Sequence, residues 1–174
     1  FLCMDLDEVG IIKYDITPLN RDAVITFEPY LDAGVHNEDA NWEEKFWEPL
    51  SVTAEANAAF VTARTFKTHF TATTFMHNRI LLDGKDQNLA SEPAEKTQDR
   101  IGFVYQIPVA QGQKAAIQKI GGYTVSMNHD DTVAAACSVI ATVSDKGYAT
   151  MLAQQAEAWG KIWEMSDITI DGDV

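Results

Sequence analysis

Leu152, Ala156, Trp159 and Trp163 recur at steps of four, three and four, the spacing of one face of an α-helix. Gln154, Gln155, Glu157 and Lys161 take most of the other sides. The pattern predicts one helix from Ser144-Asp145 through Tyr148 to about Met165, halted at Ser166-Asp167 and followed by an extended segment and a turn over 167–173. A helix face carrying two tryptophans needs a surface to cover it. That surface is either the rest of this chain or a neighbouring domain, and the two can act together.

The rest of the chain is β-like. Segments 9–17 (VGIIKYDIT) and 23–31 (AVITFEPYL) are runs of β-branched and aromatic residues of strand length. Pro18-Leu19-Asn20-Arg21-Asp22 between them has turn chemistry, so the two are expected to pair as antiparallel neighbours. Further strands are expected over 60–66, 69–76, 101–109 and 115–127. Residues 32–50 read as a long acidic excursion with a helical turn around Trp42 to Trp47. The polar stretch 83–100 reads as an exposed loop or long hairpin end. Gly121-Gly122 inside a strand predicts a bulge or a sharp bend. The expected fold is mainly β, an antiparallel sandwich with one C-terminal helix.

At 174 residues, with 46% hydrophobic and 22% charged side chains, the chain has ordinary globular usage and the length of one domain. No apolar run reaches the roughly 20 residues that cross a bilayer; the longest, 132–143, is short and rich in alanine. A net charge of −13, with no basic stripe, argues against nucleic acid and anionic membranes as partners. Cys3 and Cys137 lack metal-ligand spacing and are expected to be packed, reduced thiols. The chain opens on Phe1 in an apolar run with neither initiator Met nor a charged leader, and is expected to be a segment of something longer. Cytoplasm is the expected compartment, with the periplasm as the alternative.

Candidate chemistry is sparse. His36-Asn37-Glu38-Asp39 is a dense polar cluster without a second group to complete a metal site, and no metal or other cofactor is expected. Its functional reading is a loop that reaches towards a neighbouring active site; its plain reading is a solvated acidic loop. Trp42, Phe46 and Trp47 interleave with Glu43, Glu44 and Glu48. Rings that stack on pyranose C–H faces beside carboxylates that accept sugar hydroxyls are the materials of a carbohydrate site, and also those of a half-buried turn. Hydrolysis of a glycoside needs two carboxyl groups facing across a cleft, and the sequence marks no such pair. His69, His77 and His129 stand apart from any nucleophile motif, and Gly121-Gly122 lacks the flanking residues of a phosphate loop. On the residues alone this is a non-catalytic β domain.

The stretch Ala158-Trp159, Trp163, Ser166-Asp167-Ile168-Thr169-Ile170-Asp171-Gly172-Asp173 resembles the junction between the N-terminal sandwich and the catalytic barrel of glycoside hydrolase family 65, which includes maltose, trehalose and kojibiose phosphorylases and some hydrolases. Tyr14-Asp15-Ile16-Thr17-Pro18-Leu19-Asn20 is similar to a strand and turn of the same domain. The resemblance implies a galactose mutarotase-like supersandwich lacking its first strands, with 1–143 as the sandwich and 144–174 as the linker to an (α/α)6 barrel outside this chain. It implies partners: that barrel, and in the parent enzyme an α-linked disaccharide and phosphate. No catalytic residue is carried over, because the family's acid and phosphate groups lie in the barrel.

Three functions follow as alternatives: an accessory scaffold of an α-glucoside phosphorylase or hydrolase, an independent sugar-binding module, or a purely structural or oligomerisation domain. Substrate contacts, if any, are expected at Trp42, Trp47, His36 and Glu38, and interdomain packing at Leu152, Trp159, Trp163 and Asp167. Missing strands would leave an open sheet edge that invites pairing between copies, which makes a homodimer possible.

Overall fold

A computed structural model describes residues 1–34, 44–89, 91–168 and 170–172. In chain order they form β1 (Val9–Ile16), β2 (Ala23–Phe27), β3 (Tyr30–Asp32), β4 (Trp47–Glu55), β5 (Ala58–Thr65), β6 (Thr71–Leu82), β7 (Lys85–Asp86), β8 (Glu95–Lys96), β9 (Arg100–Gly102), β10 (Tyr105–Val109), β11 (Ala115–Val125) and the helix α1 (Thr132–Ser166). The large antiparallel sheet has the order β1-β11-β6-β5-β4, with β7 folded back on β6. Two small sheets, β10-β2 and β3-β9-β8, make the second layer. The mainly antiparallel sandwich with a C-terminal helix is therefore as expected.

The large sheet is covered on both faces. Ala59, Val61, Met76, Ile80, Ala115 and Ile117 meet Phe27, Leu31, Ile101, Phe103, Tyr105 and Ile107 of the second layer. Phe60, Phe75, Ile120, Val9 and Ile11 meet Ala136, Val139, Ile140, Val143 and Met151 of the helix. This double cover explains why 69–76 shows no clean alternation: neighbours of opposite parity, Phe75 and Met76, are both fully buried.

Several expectations fail in instructive ways. Segments 9–17 and 23–31 do not pair with each other; β1 pairs β11 and β2 pairs β10. The turn between them carries the chain from one layer to the other and lies beside the β10–β11 turn, which does the same. There the Gly112 N–H donates to the Pro18 carbonyl at 2.8 Å and the Gln111 N–H to the Asp22 carboxylate at 2.8 Å. Segment 101–109 is two strands, split at Phe103-Val104 between the two small sheets.

The helical turn expected up to Trp47 is not there, since Trp47 opens β4, a strand that Pro49 disguises and whose register shifts at Pro49/Ser51. The remainder of that turn and of the acidic excursion, residues 35–43, lies outside the described residues. In place of a plain loop, 83–100 holds the short returns β7 and β8.

Gly121-Gly122 makes no bulge, because the β1–β11 and β11–β6 registers run unbroken through both. Gly122 answers a close approach instead: a Cβ there would stand 1.9 Å from the Glu8 carbonyl oxygen. That carbonyl accepts the Tyr123 N–H at 3.0 Å.

The helix begins at Thr132, so the start expected at Ser144 falls inside it. Asp131 caps it, its carboxylate accepting from the Val133 and Ala134 N–H groups. The polar turn 128–131 is thus a cap, and His129 pairs across it with the Glu8 carboxylate. Three buried hydroxyls fasten the first turn to the sheet: Thr62 to Thr73 at 2.9 Å, and Thr73 to Thr132 at 2.7 Å. The end expected at Ser166-Asp167 is observed, with the Asp167 N–H donating to the Trp163 carbonyl at 2.8 Å. No helix is long and apolar enough to cross a membrane among the described residues.

Candidate functional site

α1 is two helical pieces, 132–146 and 148–166, broken at Gly147, whose φ of 75° and ψ of 161° belong to a region open essentially only to glycine. The first piece lies on the sheet through Ala136, Val139, Ile140 and Val143. The second seats a face formed by Tyr148, Met151 and Gln155, at steps of three and four, on segment 1–6. The Phe1 ring meets Tyr148 edge-on at 5.7 Å, and the Met4 N–H donates to Gln155 Oε1 at 2.7 Å.

The stripe predicted from sequence, Leu152, Ala156, Trp159 and Trp163, is one step round the helix from this seat and stays exposed. Leu152 and Trp159 are each 42% exposed and Trp163 is 58% exposed. Met165 in the last turn is exposed as well, and so are Ile168 and Ile170 beyond the Asp167 cap. Of the two surfaces the sequence allowed for the tryptophans, the sandwich is not the one that covers them.

Of the residues expected at a sugar site, the structure describes Trp47. His36, Glu38 and Trp42 lie outside the described residues. Trp47 is half-buried, packed edge-to-face on Phe70 with centroids 5.4 Å apart and planes at 90°. Glu48 is held by Arg64 at 2.8 Å. An open groove of about 480 Å³ beside them is lined by Phe46, Phe66, Lys45, Lys67, Glu44 and Thr65.

The perturbed titratable groups are scattered and structural. Burial, aided by the Arg79 charge, lowers the His77 pKa. Burial alone would raise that of Asp86, but hydrogen bonds from the Asn88 N–H and the Arg79 side chain outweigh it and the net shift is downward. Burial pushes the Tyr105 phenol up to about 12 and lowers the ammonium of Lys119, whose Nζ donates to the Tyr30 carbonyl at 2.8 Å. Among the described residues no three His, Cys, Asp or Glu side chains gather as metal ligands.

The sequence reading missed the Gly147 break and the seat on segment 1–6. A lone glycine inside a helical pattern was the available signal for the first. The second, a tertiary contact, left none.

Comparison with known proteins finds a family model, glycosyl hydrolase family 65, N-terminal domain, matching residues 1–162. Maltose phosphorylase of Bacillus subtilis (strain 168) is 27% identical over 175 residues, covering 99% of this chain and 22% of that protein. A solved structure assigned as a kojibiose phosphorylase, from the human microbiome, superposes with a TM-score of 0.76 at 17% identity, over 99% of this chain and 22% of that one. The chain thus spans about a fifth of the length of the relatives it matches.

Proposed function

The chain belongs to glycosyl hydrolase family 65 as its N-terminal domain, and on that premise we propose that it is the non-catalytic scaffold of a larger phosphorylase or hydrolase acting on α-linked disaccharides. Its partner in this reading is an (α/α)6 catalytic barrel, and its contact is the stripe Leu152, Trp159 and Trp163 with Asp167 at the helix end. The single observation behind the reading is that stripe: two tryptophans stand exposed on a helix whose other face is seated. Both of these relatives are phosphorylases by name, which favours phosphate as the attacking group. A reducing, cytoplasmic setting fits two unpaired thiols, one of them, Cys3, buried.

The test is to mix the chain with a separately produced family 65 barrel and follow co-elution and phosphate-dependent release of glucose 1-phosphate from maltose, trehalose and kojibiose. The chain alone gives no turnover, and the mixture co-elutes and turns over better than the barrel by itself. Turnover by the chain alone sinks the scaffold reading; failure to co-elute removes the docking face.

Pairing between copies is proposed through the edge of β1. Part of that edge is already covered, since Cys3 donates to the Val9 carbonyl at 3.0 Å and Ile11 to the Phe1 carbonyl at 2.8 Å. The stretch 13–16 is what remains for a second chain. Light scattering that stays monomeric at high concentration rejects the dimer.

A further inference from the structure

We propose that Gly147 is a joint that re-aims the second half of α1, and that segment 1–6 is the stop against which that half is seated. The proposal begins with backbone geometry. Residues 132–146 and 148–166 are each helical, and the one residue between them holds φ 75°, ψ 161°. A side chain at 147 would meet nothing within 4 Å, so space does not call for glycine here; the dihedral angles do.

Each side of the joint has its own anchor. The first piece is capped by Asp131, tied by Thr132 to Thr73, and buried through Val139, Ile140 and Val143. The second begins on Tyr148, which carries the edge of Phe1 at 5.7 Å on its ring and the Lys13 ammonium 5.4 Å from its centroid. Met151 shares a buried cluster with Cys3, and Gln155 takes the Met4 N–H. Segment 1–6 is itself locked to β1, the Phe1 nitrogen donating to the Ile11 carbonyl at 2.9 Å and the Leu2–Gly10 bridge beside it. The direction of the second piece is therefore set by β1 through segment 1–6, and not by continuity with the first.

Residues 148–166 make a lever of about 28 Å, so a swing of roughly 20° at its base carries its far end about 10 Å. Trp159 and Trp163 ride on that end. The joint's importance for docking rests on the reading of the stripe given above, whereas the joint itself is testable in the chain alone.

The experiment is double electron–electron resonance on the full chain, with spin labels on Glu164→Cys and Gln106→Cys and the exposed native thiol removed by Cys137→Ser. The wild-type background gives one narrow distance distribution. Gly147→Ala, which cannot hold these angles without strain, moves the mean by several ångströms. Tyr148→Ala combined with Gln155→Ala keeps the joint, loses the stop, and broadens the distribution at least two-fold. Thermal melting of each variant checks that the sandwich is intact. A folded Gly147→Ala protein with an unmoved mean overturns the joint. An unbroadened Tyr148→Ala/Gln155→Ala distribution overturns the stop, and decides the matter by itself should Gly147→Ala fail to fold. Because no barrel is present, a failed docking reading leaves this result standing, and the reverse holds as well.

Discussion

The hydroxyls of Thr73 and Thr132 stand 2.7 Å apart across 59 residues of sequence, both buried, where strand β6 meets the first residue of α1. Thr73 also bonds Thr62 at 2.9 Å, and the Thr132 carbonyl accepts from Thr124 at 2.6 Å. Thr73→Val keeps the shape but strips one member from this chain of hydroxyls. The cost of leaving buried groups unpaired is about 1–3 kcal/mol, to be read as a lower urea midpoint at unchanged slope. Thr73→Ser should recover most of it. An unchanged midpoint for Thr73→Val would mean the hydroxyls do not fasten the helix.

Gly122 tests the close approach of Glu8. A Cβ standing 1.9 Å from a backbone oxygen cannot be relieved by rotating a side chain, so β11 or the Glu8 peptide must move. Gly122→Ala should cost about 3 kcal/mol, the upper part of the overpacking range. Gly160→Ala is the control, since Gly160 lies in α1 with open space at its Cβ. It should add about 1 kcal/mol of stability through helix propensity. Equal melting temperatures for the two alanine variants would contradict both arguments.

The double cover of the large sheet predicts that adjacent residues of opposite parity on β6 are equally costly to truncate. Phe75→Ala should lose about 3–5 kcal/mol on the helix side and Met76→Ala about 2–5 on the other, read by chemical denaturation. If one of the pair proves neutral, the face it points to is not a packed layer.

Burial holds His77 below its ordinary pKa, with the Arg79 charge adding to the effect. The sign is that of a depressed group: the unfolded chain takes the proton first, so stability is fully present above about pH 6.5 and falls as pH drops below it. The urea midpoint of the wild type should decline between pH 7 and pH 5. His77→Gln should show a smaller decline over the same interval. Parallel curves would place the pH sensitivity elsewhere.

Much of this architecture was legible because strand chemistry and helix period are local. The runs around Val9, Ala58, Thr71 and Ala115 became strands, and the step pattern through Trp159 became helix. What failed was non-local. Pairing partners depend on which layer a turn crosses to, so β1 and β2 read as a hairpin although each joins a strand from the other end of the chain. The alanine-rich stretch 132–143 hid the start of α1 because its small residues carry little amphipathic contrast. The candidate site divided along the same line. The helical spacing of the two tryptophans follows from sequence alone and the helix carries them exposed, whereas the contact of Trp47 with Phe70 leaves no trace in sequence spacing.

Trp159 and Trp163 yield a prediction that separates docking from folding. Both are exposed at the surface, so in the chain by itself the double variant Trp159→Ala/Trp163→Ala should shift stability by no more than about 0.5 kcal/mol. Buried in a contact with a second body, tryptophans of this kind each carry about 2 kcal/mol or more of binding. The same double variant should therefore weaken association with a family 65 barrel by at least two orders of magnitude, measured by calorimetric titration. Leu152→Ala, nearer the seat, should cost less. A large loss of stability in the isolated chain would show that the indoles pack on the sandwich after all. Unimpaired association would show that the barrel, if it binds, uses another face.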